Sequence, residues 1–276
     1  MNEEEILSCV DEAEAYGYGT VVLQSGEDYG IETEWLSRII RQIKKETQLA
    51  VTLSLGERPD EDLEAWRQAG ADRYLLRFET SDEGLYRAIH PSLPGRVSNR
   101  LAMLQTLKRL GYEAGSGVMI GIPGQTYASL SHDIDLFQTL DLDMIGVGPY
   151  LPHPRTPLGQ GNWGCIIPKE EQVPNTEQMT YKVIALTRIV CPEANIPSTT
   201  ALATINRERG RELGLMRGAN VVMPNLTPLP YRAKYEIYPS KACISEISSE
   251  CHSCLDDRIG SIGRKVGTGQ GQRLHR

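Results

Sequence analysis

Two charged side chains stand two residues apart in an otherwise apolar segment. The segment LLRFET contains Arg77 and Glu79, and its apolar residues predict a β-strand. Side chains two apart on a strand point to the same face, which Leu75 shares. A charged pair directed into a protein interior is costly unless the charges pair with each other or bind a ligand. The pair therefore predicts either a ligand site or a structural ion pair.

A third cation stands at the start of a predicted helix. Arg100 lies in the first turn of SNRLAMLQTLKRLG, where it faces the positive end of the helix dipole. That position is mildly unfavourable unless an anion lies nearby, such as a ligand carboxylate held by two parallel hydrogen bonds. The alternative is a solvated surface arginine.

Polar residues also follow two other predicted strands. GIPGQT (121–126) is a Gly-Pro turn that leads into a helix N-terminus, a common feature of α/β proteins and a weak signal by itself. Thr199 and Thr200 end a later strand, where two hydroxyls could bind a carboxylate. As β-branched residues they are equally typical of ordinary strands.

Three of the six cysteines are closely spaced. Cys243, Cys251 and Cys254 follow the pattern C-x7-C-x2-C. Thiolates two residues apart can share one metal, and a third nearby suits an iron–sulfur cluster or zinc, with His252 as a candidate fourth ligand. Free thiols in a tail are the alternative. The other cysteines lack such spacing and are predicted to be packing residues: Cys9, Cys165 and Cys191.

Short β-rich runs alternate with longer helical stretches along almost the whole chain. The predicted strands are 20–24, 50–55, 73–79, 114–122, 143–150, 194–199 and 219–224. The predicted helices are 3–16, 32–46, 60–69, 82–90, 98–110, 126–140, 175–190 and 206–217. The alternation predicts βαβ units and a parallel sheet. The predicted helix caps are Gly70, Gly111 and Gly218 at C-terminal ends, and Thr126 and Asn175 at N-terminal ends.

Nearly every predicted strand ends in polar residues. These ends read SGED, SLGE, RFET, GIPGQT, GPYLPHP, STTA and MPN. A (β/α)8 barrel gathers its active site at the C-terminal ends of its strands, whereas a doubly wound sheet seldom places polar residues at seven of them. Seven strands are found rather than eight, and the chain opens on a helix. We therefore predict an α/β fold, a (β/α)8 TIM-type barrel lacking its first strand (1–225), followed by a cysteine-containing extension (226–276).

Composition and charge exclude several classes of protein. The chain has 276 residues and a formal net charge of −7, which does not favour nucleic-acid binding. No apolar run approaches the roughly 18–20 residues that cross a membrane. The acidic, helical N-terminus is unlike a secretory signal, and six cysteines do not suggest a disulfide scaffold. A cytoplasmic location is therefore predicted.

The strand-end segments together resemble the radical S-adenosylmethionine (SAM) enzymes of the biotin-synthase-like group. Within it, the sequence is most similar to the maturases that build the H-cluster of FeFe-hydrogenase. The segments that carry the resemblance occur in the family's order: VVLQSGED, LRFET, NRL, GSGVMIGIPGQT, DMIGVGPYLPHPRTPL, ALTRI, NIPSTTA, GANVVMPNLTP, PYR and the C-x7-C-x2-C tail.

The resemblance implies a set of SAM-binding residues. An edge that receives the amino group of SAM would be formed by Ser25, Gly26, Glu27 and Asp28. Arg77 and Glu79 would contact its methionine and ribose, and Arg100 would pair with its carboxylate.

The resemblance also implies a substrate cavity and further cofactors. The cavity would hold an anionic or cysteine-derived iron ligand and would be lined by Thr199, Thr200, Ala201, Met223 and Tyr235. The implied cofactors are SAM, a 4Fe-4S cluster, and an auxiliary 2Fe-2S or 4Fe-4S cluster on Cys243, Cys251 and Cys254. The implied activity is adenosyl-radical chemistry on an iron-bound cysteine synthon during assembly of the di-iron subcluster. The implied partners are a small-molecule or organometallic substrate and other hydrogenase maturation proteins, with no nucleic acid and no membrane.

The sequence departs from the family in one respect. The family carries C-x3-C-x2-C just after its first strand, where the thiolates hold the cluster that binds SAM, and no such spacing occurs here. Together with the count of seven strands, this predicts that the first strand and its cluster loop are absent, and that the chain is an N-terminally truncated, inactive form.

Three other functions remain open. One is a methylornithine-synthase-like or biotin-synthase-like radical SAM enzyme. Another is a non-catalytic barrel that binds a SAM-like ligand. A metal-dependent aldolase or isomerase barrel fits the fold but not the cysteine tail.

Overall fold

Five strands form one parallel sheet whose order follows the chain. The computed structural model describes residues 1–90, 97–161, 167–242 and 248–273. The strands are β1 (Thr20–Gln24), β2 (Ala50–Ser54), β3 (Arg73–Leu75), β4 (Glu113–Ile120) and β5 (Met144–Pro149). Each strand pairs in parallel with the next. An unbroken sequential order builds the wall of a (β/α)8 barrel, whereas a doubly wound sheet reverses its order at a switch point. The predicted α/β barrel class is confirmed.

The last two predicted strands continue this wall only through single parallel bridges. Asn195 pairs with Met144 of β5, and Pro197 pairs with Val221. A regular ladder cannot extend through Pro197, because proline has no N–H to donate. The two predictions are therefore correct in place and wrong in length.

The third strand is also shorter than predicted, because a side chain interrupts its pairing. The Ser116 hydroxyl of β4 accepts the Phe78 N–H at 3.2 Å and donates to the Leu76 carbonyl at 2.8 Å. Backbone pairing then resumes at a bridge between Glu79 and Val118. The residues just after β3 are thereby fixed to β4 without being part of a regular strand.

Helices follow the strands in the alternation that the sequence predicts. They are α1 (Glu3–Ala15), α2 (Thr33–Glu46), α3 (Asp60–Ala69), α4 (Glu83–Ile89), α5 (Arg100–Arg109), α6 (Tyr127–Thr139), α7 (Glu177–Val190), α8 (Thr200–Ile205), α9 (Gly210–Met216), α10 (Leu229–Arg232) and α11 (Ser248–Ser261). The last predicted helix begins later than expected, at α9, and α8, α10 and α11 were not predicted. None of the helices in the described part of the chain is long and apolar enough to span a membrane.

The predicted helix caps are mostly confirmed. Gly70, Gly111 and Gly218 have φ values of 112°, 83° and 120°, the left-handed region that favours glycine at a helix end. Thr126 is the N-cap of α6, and its side chain accepts the N–H of Ser129.

The prediction for Asn175 is wrong. Thr176 caps α7 by accepting the Met179 N–H at 3.2 Å. The Asn175 amide instead donates to the Tyr150 carbonyl at 3.1 Å, which joins the start of α7 to the end of β5.

The core lies between the sheet and the helices that surround it. On α2 the buried side chains are Leu36, Ile39, Ile40 and Ile43, a spacing that places one apolar stripe against the sheet. Trp66 of α3 is fully buried beside them. Apolar burial of this kind is the main driving force for packing the helices on the barrel wall.

Residues 264–273, the C-terminal strap, run back across the N-terminal ends of the strands. The carbonyl of Gln270 accepts hydrogen bonds from the Thr20 hydroxyl at 2.8 Å and from Arg73 at 3.1 Å. The beginnings of β1 and β3 are thus tied to the end of the described chain. The strand ends that carry the predicted site lie on the opposite side of the barrel.

Candidate active site at the strand ends

The charged pair of LLRFET lies just beyond β3. Arg77 Nη2 is 3.2 Å from Glu79 Oε2 and donates to the Val118 carbonyl at 2.5 Å. Glu79 has a φ of 66°, a left-handed conformation that residues with a side chain rarely adopt. Strained conformations of this kind concentrate at functional sites. The ion-pair alternative is therefore correct, although it leaves the ligand alternative open.

Two atoms of this pair lack a hydrogen-bond partner within the described part of the chain. They are Arg77 Nε and Glu79 Oε2, both buried. Burial raises the pKa of Glu79, and the charges of Arg77 and Arg100 oppose that rise. Buried polar atoms are nearly always satisfied in native proteins. Glu79 Oε2 keeps its ion-pair contact with Arg77 Nη2, so Arg77 Nε is the atom for which a ligand could most directly supply a missing partner.

Arg100 is buried in an ion-pair network, so the surface alternative is wrong. Its side chain is only 15% exposed. Nε lies 2.9 Å from Glu57 Oε1, Nη2 lies 2.9 Å from Glu27 Oε1, and Nη1 donates to the Arg77 carbonyl at 2.8 Å. Burial favours a lower pKa for Arg100, but the hydrogen bond to Glu57 and the two carboxylates raise it overall. The anion that its place on the helix predicted is thus supplied by two glutamates.

Glu27 of the SGED segment faces this arginine across the strand ends. Its second carboxylate oxygen accepts the Glu57 N–H at 2.9 Å. Gly56 makes this approach possible: its φ is 75°, and a Cβ there would lie 2.3 Å from Glu27 Oε2. The turn after β2 therefore holds the carboxylate in place through a glycine that no other residue could replace without moving it.

The other residues of SGED make local contacts. The Ser25 hydroxyl donates to the Gly26 carbonyl at 2.8 Å, and Asp28 Oδ1 accepts the Gly30 N–H at 2.9 Å. No atom lies within 4 Å of the place where a Cβ on Gly26 would be. Among the four predicted residues, Glu27 is the one whose side chain joins the network of Arg100.

Glu57 was missed as a site residue by sequence reasoning. Its Oε1 accepts the Ser98 hydroxyl at 2.5 Å in addition to Arg100 Nε. Ser98 also shares a short hydrogen bond with the Tyr86 hydroxyl. The available signal was the segment SLGE, which ends β2 in a carboxylate just as SGED ends β1. Because β1 and β2 are parallel neighbours, the carboxylates that follow them, Glu27 and Glu57, lie side by side at the C-terminal ends of the strands.

Two glycines on β5 are approached closely by side chains of the predicted site. A Cβ on Gly146 would lie 3.9 Å from Arg77 Nε, and a Cβ on Gly148 would lie 3.2 Å from Thr199 Oγ1. Side chains two apart on a strand share a face. Arg77 Nε and the Thr199 hydroxyl therefore face neighbouring positions of one strand. Ala201 Cβ would lie 3.7 Å from a Cβ on Gly148.

The predicted cavity residues differ in their local contacts and in their burial. Thr199 caps α8 by accepting the Leu202 N–H at 3.5 Å, and Thr200 is the first residue of that helix. Met223 is 40% exposed. Tyr235 is partly buried, burial raises its pKa, and Lys241 Nζ lies 4.7 Å from its ring centroid.

Most of the predicted cysteine site lies outside the described residues. Cys243 lies outside them, and Cys251 lies in α11 with its side chain outside them. Cys254, three residues later on α11, is exposed. Within the ranges that the structure describes, no three side chains of His, Cys, Asp or Glu form a metal site. Cys9 and Cys191 are partly buried, in keeping with their predicted packing role, and Cys165 lies outside the described residues.

The residues of this chain do not fit a SAM-binding iron–sulfur cluster. The three thiolates of such a site need a C-x3-C-x2-C spacing in the family that the sequence resembles, and the six cysteines of this sequence do not contain it.

The sequence matches known proteins along nearly its whole length. Residues 1–137 match the family model of the radical SAM superfamily. The chain is 46% identical over 273 residues to the [FeFe] hydrogenase maturase subunit HydE of Thermotoga maritima, covering 99% of this chain and 74% of that protein. It is 27% identical over 243 residues to the 3-methylornithine synthase of Methanosarcina acetivorans, covering 86% of this chain and 64% of that enzyme.

The fold has a close counterpart among solved structures. The crystal structure of methylornithine synthase (PylB) superimposes with a TM-score of 0.74, covering 96% of this chain and 73% of that chain. The two sequences are 23% identical in this alignment, so the likeness is one of fold.

Proposed function

Since the chain belongs to the radical SAM superfamily, in the family of the [FeFe] hydrogenase maturase subunit HydE, we propose that its barrel binds SAM at the strand ends and serves in maturation of the hydrogenase H-cluster. The observation that carries this proposal is the ion pair between the largely buried Arg100 and the more exposed Glu27, 2.9 Å apart. It lies beside Arg77 Nε and Glu79 Oε2, two buried atoms that make no hydrogen bond within the described chain.

The ion pair of Arg100 and Glu27 offers the two charges that the amino acid part of SAM requires. SAM carries an ammonium group and a carboxylate on the same carbon, so its site needs an anion and a cation side by side. A guanidinium has five N–H donors, and hydrogen bonds within the described chain use one each on Nε, Nη1 and Nη2 of Arg100. The two remaining donors would bind the SAM carboxylate, and Glu27 would accept its ammonium group.

The rest of SAM would meet the charged pair beyond β3. A ribose hydroxyl would donate to Glu79 Oε2, which otherwise has its ion-pair contact with Arg77, and Arg77 Nε would donate to the methionine part. A partner for Arg77 Nε favours the bound state, because a buried polar atom left without one costs about 1–3 kcal/mol. The SGED residues Ser25, Gly26 and Asp28 would form the outer edge of this site.

The substrate would lie deeper, over the glycines of β5. The Thr199 hydroxyl and Ala201 lie against Gly148, and a hydroxyl donor there suits a small anionic or organometallic molecule. The further lining residues of this proposal are Thr200, Met223 and Tyr235. In this superfamily SAM, with a reduced four-iron cluster, supplies an adenosyl radical; the part of the residues named here is to bind and orient SAM and to exclude water.

Titration of SAM into the chain tests this proposal. We expect binding in the wild type and a loss of affinity of about thirtyfold in Arg100→Ala, because a charge-assisted hydrogen bond contributes about 2 kcal/mol. The matched control is Arg109→Ala, an exposed arginine at the other end of the same helix, which should bind as the wild type does. A loss of less than about threefold in Arg100→Ala would contradict the assignment.

The auxiliary cluster on Cys243, Cys251 and Cys254 belongs to this proposal as well. Its support is the C-x7-C-x2-C spacing and the place of Cys251 and Cys254 in one helix. Anaerobic reconstitution with iron and sulfide should give an iron–sulfur absorption spectrum, which replacement of all three by serine should abolish. Replacement of Cys9 and Cys191 by serine is the control. A spectrum that survives the triple replacement would refute the site.

A second candidate is a 3-methylornithine synthase, which the relative and the solved structure of that name support. Both candidates share the SAM site and differ in the molecule held over Gly148. Cysteine and 3-methylornithine, each titrated in the presence of SAM, would separate them. We expect binding of cysteine, and binding of 3-methylornithine without binding of cysteine would favour the second candidate.

A further inference from the structure

Glu57 contacts both members of the ion pair that the proposed SAM site uses. Its carboxylate holds Arg100 through Nε at 2.9 Å, and its backbone N–H holds Glu27 through Oε2 at 2.9 Å. Arg100 and Glu27 come from distant parts of the chain, on α5 and after β1. Glu57, in the turn after β2, hydrogen-bonds to both of them in the described part of the chain.

The contact to Arg100 leaves the ligand-facing part of the guanidinium open. Glu57 binds Nε, on the edge of the guanidinium nearest the side-chain stem, and so does not occupy the remaining donors on the two terminal nitrogens. A carboxylate that held Arg100 through both terminal nitrogens would compete with a ligand. Glu57 fixes the rotation of the guanidinium without occupying those donors.

The carboxylate of Glu57 is held by a second hydrogen-bond donor besides Arg100. Its Oε1 accepts the Ser98 hydroxyl at 2.5 Å, and Ser98 is hydrogen-bonded to the Tyr86 hydroxyl. The ring of Tyr86 stacks on His90 with centroids 3.9 Å apart. The side chain of Glu57 is only 12% exposed. A buried carboxylate with two donors on one oxygen has little freedom to rotate, so it can determine the position of the groups it contacts.

We propose that Glu57 is a positioning residue for SAM, which presets Arg100 and Glu27 to receive the carboxylate and the ammonium group of the ligand. The inference rests on the proposed function. Its physical basis is preorganisation: groups already held in the bound geometry lose little freedom when the ligand binds. Glu57 contacts no part of the ligand and acts through its two neighbours.

The test compares two replacements of Glu57 in the full chain by calorimetric titration with SAM. Glu57→Ala removes the acceptor of Arg100 Nε, and we expect a loss of affinity of about tenfold or more. Glu57→Gln keeps an oxygen acceptor at the same place without the charge, and should recover most of that loss. The matched control is Glu83→Gln, an exposed glutamate paired with Arg87 on α4, which should bind SAM as the wild type does.

A double replacement separates positioning from general damage to the fold. If Glu57 acts through Arg100, then Glu57→Ala should reduce affinity by less than about twofold when Arg100 is already alanine. An equal loss in both backgrounds would overturn the inference. Wild-type affinity in Glu57→Ala would overturn it as well. Failure of the wild-type chain to bind SAM at all would instead refute the proposed function, and the inference with it.

Discussion

At the scale of single residues, the site depends on charges whose partners lie far away in the sequence. The place of Arg100 on its helix predicted an anion, and the structure supplies Glu57 and Glu27, 43 and 73 residues away. Helix electrostatics could therefore identify the arginine as unusual. They could not identify its partners, because these are set by which strand ends lie side by side.

Asp133 is a buried carboxyl group that contacts Ser81, two residues after Glu79. Its burial predicts that the stability of the fold depends on pH. Asp133 lies on α6 and accepts both the N–H and the hydroxyl of Ser81 at 2.6 Å, which anchors the segment that follows Glu79. Burial raises the pKa of Asp133 to about 6 from an ordinary value of 3.8. Between these two values the folded protein binds more protons than the unfolded chain. The free energy of unfolding should therefore decrease as pH rises from 4 to 6 on account of this residue.

Replacement of Asp133 by asparagine should remove that dependence. We expect the stability of the wild type relative to Asp133→Asn to fall by up to about 3 kcal/mol between pH 4 and pH 7. Urea unfolding of both proteins across this range measures the difference. The control is Asp135→Asn, an exposed carboxylate on the same helix. A difference in stability between wild type and Asp133→Asn that stays constant with pH would show that the carboxyl is not buried as described.

At the scale of elements, the positions of the strands could be predicted, and β1 was predicted with the bounds that it has, whereas the lengths of β3 and of the last two predicted strands could not be predicted. The strands of the sheet lie in β-rich runs, and the polar residues that follow these runs mark their ends, so the pattern identified β1 to β5. The end of β3 depends on the hydroxyl of Ser116, which replaces a backbone partner. Helix α8 was missed because Thr199 and Thr200 are residue types typical of strands. Here Thr199 is the N-cap of the helix and Thr200 is its first residue.

The turn after β2 gives an element-scale prediction. Gly56 and Gly17 have nearly the same backbone conformation, with φ of 75° and 71°, but a Cβ on Gly56 would meet the carboxylate of Glu27 and one on Gly17 would meet nothing within 4 Å. Alanine at either position should cost about 1 kcal/mol of stability through the left-handed conformation. Only Gly56→Ala should also displace Glu27, and its affinity for SAM should fall about tenfold. Equal SAM affinity in the two variants would contradict the role given to Glu27.

At the scale of the whole molecule, the sheet order and the grouping of polar strand ends could be predicted together. Strands that alternate with helices lead to a parallel barrel wall, and a barrel places all C-terminal strand ends on one side. The C-terminal strap could not be predicted. Its Arg273 pairs with Asp141, 132 residues earlier, at 2.6 Å. Nothing in the Gly-rich composition of the strap indicates that it returns to the opposite end of the barrel.

The crystal structure of the chain with SAM is the measurement that tests the central claim most directly. We predict the amino acid end of SAM at Arg100 and Glu27, and the ribose at Glu79, with the Glu57–Arg100 contact unchanged. The buried atoms Arg77 Nε and Glu79 Oε2 should gain hydrogen bonds from the ligand. SAM bound elsewhere on the barrel, or bound at the strand ends with its carboxylate away from Arg100, would contradict the account.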